Sequence, residues 1–158
     1  MRGKRLGITA ALAGGTLAAT ALAFAPAAAA VTPQTATINA TCSIGGSGSA
    51  TLTATQSGTA ATITLSSTDI TAPISVAQDS ISSTLTMVKA GGGTTVFSGT
   101  RNPAIAAGGG VAVGPLDGTV ASGDSLEAFG GSLQMVVFGI TITCTADAAQ
   151  SPGPFVFE

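Results

Sequence analysis

Histidine, tryptophan and tyrosine are absent from the 158 residues, and charged side chains make up only 8% of them. Without histidine the chain lacks the commonest general base and the commonest metal ligand, so Ser-His-Asp and Cys-His catalytic arrangements are excluded. Without tryptophan or tyrosine, sugar recognition by ring stacking has little to work with. Beyond residue 30 the only basic residues are Lys89 and Arg101, and two cations against seven carboxylates leave a side-chain charge of −5. Two dispersed cations cannot neutralise a run of phosphates, so nucleic acid is not expected as a partner and anionic lipid is disfavoured.

What is present starts with an export signal. Arg2, Lys4 and Arg5 precede an apolar run from Leu6 to Phe24, followed by Ala27-Ala28-Ala29-Ala30. This order of charge, apolar run and small residues reads as a secretory signal peptide over residues 1–30, with cleavage near Ala30. No later apolar run is long enough to span a bilayer, so the mature chain is expected to be secreted into the extracellular medium with no membrane span.

The two cysteines, Cys42 and Cys144, each close an alternating run: Ala36-Thr37-Ile38-Asn39-Ala40-Thr41-Cys42 and Phe138-Gly139-Ile140-Thr141-Ile142-Thr143-Cys144. Each is predicted to point into a core from a strand, and in an exported chain two cysteines suit a disulfide better than a metal or a catalytic thiol. That disulfide would join the first strand of the domain to the last. Closing a loop of about 100 residues is worth up to about 4.7 kcal/mol in the chain-entropy estimate.

From Val31 onward the composition is Thr, Ser, Ala, Gly and Val with a period of two. Strands are predicted over residues 36–42, 50–56, 61–66, 74–78, 84–89, 94–98, 110–113, 125–129 and 132–144. Glycine-rich stretches at 45–48, 91–93, 108–110 and 130–131, with Ser57-Gly58, Asp117-Gly118 and Gly123-Asp124, mark the turns. Many short strands at this spacing predict an all-β, antiparallel domain over residues 36–145, a sandwich or a barrel, flanked by mobile segments 31–35 and 146–158. Within residues 132–144 the apolar phase switches between Val137 and Phe138, which predicts either a bulge near Val137 to Gly139 or a strand buried on both faces.

Asp124 and Glu127, with Asp117 nearby, are the one carboxylate group to weigh as a glycosidase pair or calcium site. On a strand, Asp124 and Glu127 point to opposite faces, and an acidic residue after Ser122-Gly123 is ordinary turn chemistry. The glycine stretches lack the Gly-Lys-Ser/Thr ending and the following helix of a phosphate cradle. Asn39-Ala40-Thr41 fits a glycosylation acceptor by pattern alone, and Arg101-Asn102-Pro103 reads as a solvated loop. No catalytic, cofactor-binding or metal-ligating residue is assigned, no cofactor is expected, and the chain is not expected to be an enzyme.

The segments Ala40-Thr41-Cys42, Gly123-Asp124-Ser125-Leu126 and Ile140-Thr141-Ile142-Thr143-Cys144 resemble the framing of exported actinobacterial β-sandwich domains of unknown function. That resemblance implies an immunoglobulin-like β-sandwich and transfers no catalytic residues. The chain is also similar to the apoproteins that carry enediyne chromophores, small acidic secreted sandwiches with two disulfides where this chain can form one. The leading expectation is a non-enzymatic structural or interaction module at the cell envelope or in the medium; the alternative is a carrier of an apolar small molecule using Phe97, Phe129, Met87 and Met135.

Overall fold

The computed structural model describes residues 31–158, and the signal peptide expected over residues 1–30 lies outside the described residues. Nine strands follow one another: β1 (Thr35–Cys42), β2 (Ser47–Ser57), β3 (Ala60–Thr71), β4 (Ser82–Lys89), β5 (Thr94–Gly99), β6 (Gly110–Thr119), β7 (Ser125–Val137), β8 (Ile140–Ala146) and β9 (Phe155–Val156). The alternation read from the sequence is the alternation that forms. In β1 every second residue, Ala36, Ile38, Ala40 and Cys42, is buried, while Thr35, Thr37, Asn39 and Thr41 face out. Threonine suits both tasks of an outward position, since its branched Cβ favours extended backbone and its hydroxyl stays in water.

All pairings are antiparallel, in the order β4-β5-β6-β3-β2-β1-β8-β7, and β7 pairs again with β4. Each of these eight strands therefore has a partner on both sides, and the sheet closes into an eight-stranded barrel. The immunoglobulin-like β-sandwich expected from the sequence does not form. The pairings that overturn it are β4 with β7 and β1 with β8, which join what would have been free sheet edges. Closure removes the unpaired edges that an open sheet must otherwise protect. Strands β4, β5 and β6 run as consecutive hairpins and β7 returns beside β4, a Greek-key arrangement. Polar residues outside and apolar residues inside are the reverse of a porin-type membrane barrel. Among the described residues no helix is long and apolar enough to cross a membrane.

Two other expectations are corrected. Residues 132–144 are not one strand: Phe138 and Gly139 form a two-residue turn between β7 and β8, both at positive φ (51° and 77°). The phase switch at Val137 is therefore a hairpin, while the kink at Gly130 and Gly131 sits inside β7, where the register against β4 slips. Residues 74–78 form no strand and contribute only a bridge from Val76 to Ile105.

Cys42 and Cys144 stand opposite each other on β1 and β8 and form the expected disulfide, 102 residues apart in sequence. It clasps a seam in which β1 and β8 share only three register pairs. Below that seam, residues 150–157 take over from β8. Ser151 pairs with Thr37, Val156 with Thr32 and with Ser125, and Phe155 with Leu126. The segments expected to flank the domain as mobile ends are thus laid into its wall, with Val31, Phe155 and Phe157 buried.

Candidate functional site: the apolar mouth of the barrel

The two ends of the barrel are built differently. At one end lie the β2–β3 turn, the β4–β5 turn, the loop 120–124 and the segment 150–157. The interior of this end is filled by Ile63, Met87, Phe97, Leu116, Leu126, Phe155 and Phe157, all essentially inaccessible. Packing here is tight enough that a Cβ on Gly118 would fall 2.4 Å from the Phe97 ring. Hydrogen bonds tie the segment down: Gly123 N donates to Phe157 O (2.8 Å), Phe157 N to Asp124 O (2.9 Å), and Glu158 N to Gln56 Oε1 (3.0 Å).

The other end is open. It is framed by residues 43–46, the crossover 72–81, the loop 100–109 and the turn at Phe138 and Gly139. Large apolar side chains stand exposed around it: Phe138 (67%), Ile74 (55%), Ile140 (54%) and Ile44 (41%). They surround a cavity of about 160 Å³ whose walls include Ile70, Val76, Ile81, Ile105, Met135 and Ile142, and Thr71 is its one polar side chain. A second cavity of about 50 Å³ adjoins it and lies among Ile38, Leu52, Leu65, Leu85, Val113 and the Cys42–Cys144 disulfide, with Ser66, Ser67, Ser132 and Thr145 also on its wall. No charged residue lines either cavity.

The mouth is open without being loosely held. Asn102, 3% exposed, accepts hydrogen bonds at Oδ1 from the N–H groups of Ser80 and Ile81 (both 2.8 Å) and donates from Nδ2 to Ala77 O (2.8 Å) and Pro103 O (2.7 Å). All four amide valences are satisfied, and they weld the crossover 72–81 to the loop 100–109. Reciprocal backbone bonds between Val76 and Ile105 (2.8 and 2.9 Å) do the same nearer the cavity.

The residues singled out from the sequence are scattered. Of the four carrier candidates, Met135 lines the mouth, Met87 and Phe97 plug the closed end, and Phe129 stands exposed on β7 outside the cavity. The carboxylates serve the backbone. Asp124 accepts from Ala121 N (2.9 Å) and from Lys89 Nζ (2.9 and 3.0 Å), and these contacts, the Ala121 N–H first and Lys89 second, hold its carboxyl below the usual range. Glu127 Oε1 accepts from the N–H groups of Ala128, Phe129 and Gln150. Asp117 is exposed on β6 with Arg101 3.7 Å away, a pair worth little in water. Arg101-Asn102-Pro103, read as a solvated loop, instead carries the buried Asn102 clasp. Ile74, Ile105 and Phe138 were missed as site residues. The available signal was a bulky aromatic immediately before Gly139 between two alternating runs, where a two-residue turn normally takes Asn-Gly.

No protein-family model, curated protein or solved structure matches this chain.

Proposed function

We propose that this chain is a secreted, non-enzymatic carrier that binds the apolar part of a small molecule in the mouth of its barrel. The observation that carries this reading is the uncharged cavity of about 160 Å³, ringed by exposed Ile44, Ile74, Phe138 and Ile140. An apolar cavity of roughly 150 Å³ is large enough to hold a benzene-sized group and is dry when empty. A mostly apolar concavity on a preformed scaffold is the usual form of a small-molecule site. The structural or interaction reading stands behind it, because four of the eight large apolar side chains exposed among the described residues, Ile44, Ile74, Phe138 and Ile140, line one hollow. The disulfide is consistent with an oxidising, extracellular location.

Phe138 adds support from local chemistry. A non-glycine residue at φ 51° is strained, and a large aromatic there breaks the Asn-Gly preference of the turn. Such local conflicts concentrate at functional positions. The test is Phe138→Asn, with stability and 1-octanol affinity both measured by calorimetry. Stability is expected to rise by up to about 1 kcal/mol while affinity falls about tenfold. Octanol binding unchanged by the substitution, or absent from the wild type, would overturn the reading. Absence of octanol binding together with partition onto phosphatidylcholine vesicles would make the mouth a membrane-docking tip instead.

A further inference from the structure

We infer that the ligand of the mouth is an unbranched apolar chain whose tip passes Met135 into the inner chamber, an inference that rests on the mouth being a ligand site. The outer and inner cavities share three lining residues: Ile70 on β3, Val111 on β6 and Met135 on β7. Strands β3 and β6 are neighbours, whereas β7 lies across the ring from them. These side chains from opposite walls border both chambers and, on this inference, form the septum between the two.

The septum yields on one side only. Isoleucine and valine are branched at Cβ and stiff at χ1. Methionine is unbranched, with three rotatable bonds and a polarisable sulfur that adapts to irregular space. Of the three, Met135 has the most rotamer freedom with which to yield. The space behind it, about 50 Å³, is about a third of a benzene-sized cavity, so a ring is excluded and a short length of chain is admitted. Because no charged side chain lines either chamber, a charged end of the ligand remains outside the rim.

The experiment measures the binding of straight-chain primary alcohols, hexanol to dodecanol, and of their branched isomers, to wild type, Met135→Ile, Met135→Ala and Met135→Leu. In the wild type, affinity is expected to rise about fourfold per added methylene until the inner chamber is filled, then level off. Branched isomers are expected to level off earlier. Met135→Ile, which stiffens the septum at similar volume, moves the limit to shorter chains, and Met135→Ala moves it to longer ones. Met135→Leu serves as a control for fold and stability. If the variants do not fold, the wild type alone decides: long chains should shift the methyl resonances of Ile38 and Leu52, which line only the inner chamber. Straight and branched alcohols that bind with one chain-length limit, unaffected by Met135→Ile and silent at Ile38 and Leu52, would overturn the passage and leave the mouth site standing. A wild type that binds none of the alcohols would overturn both.

Discussion

The closed end and the open end of the barrel use the same kind of side chain to opposite effect. At the closed end, Phe155 and Phe157 are folded into the interior beside Phe97 and Leu126, and each is 1% exposed or less. At the open end, Phe138 stands 67% exposed on a turn whose backbone disfavours it. Apolar residues were therefore available to fill both ends, yet one is plugged and the other is left hollow. The hollow end is also firmly built, since the Asn102 clasp and the Val76–Ile105 bridge hold its loops together. The difference teaches that the mouth is a shaped opening in a rigid frame.

That contrast can be broken from either end. Phe155→Ala removes a fully buried ring from the closed end and should cost about 3–5 kcal/mol, a melting-temperature drop on the order of 15 °C, with the mouth unaffected. Replacing both cysteines by alanine opens the β1–β8 seam and should cost about 2–4 kcal/mol, checked by chemical denaturation beside the oxidised wild type. Asn102→Ala leaves the N–H groups of Ser80 and Ile81 and the carbonyl of Ala77 without their partner. It is expected to destabilise by about 2–3 kcal/mol and to raise hydrogen exchange first in residues 72–81 and 100–109.

The smallest effect is at Asp124, near the closed end. Its carboxyl titrates lower in the folded chain than in the unfolded one, so its contribution is complete above about pH 4 and is lost as pH falls through the depressed value. Partial exposure of the Lys89 pair limits that contribution to about 1 kcal/mol. The stability curves of wild type and Asp124→Asn should therefore differ at neutral pH and converge in acid.

Strands and the disulfide were legible because both are local or chemically forced. Alternation places Ile38 and Cys42 on one face whatever the sheet does next, and in a chain with two cysteines each has one obvious partner. The closure was not legible. A sandwich and a barrel share the same alternation, and they differ in whether β4 reaches β7 and β1 reaches β8, which no period along the chain encodes. The mouth was hidden for a related reason. Ile44, Ile74, Ile105 and Phe138 lie in four separate connections, so only the ring closure brings them together. The prolines of residues 146–158 suggested mobile chain, but Phe155 and Phe157 in the same segment are what fill the closed end.

On the proposed carrier reading, the contrast between the two ends reduces to where an apolar molecule binds. Isoleucine methyl spectra of the oxidised protein, titrated with 1-octanol, report both ends at once. Saturable shifts at Ile74, Ile105 and Ile140, with Ile63 at the closed end unmoved, are expected for a ligand site in the mouth. Shifts that never saturate, or that move Ile63 as much as Ile105, would contradict it.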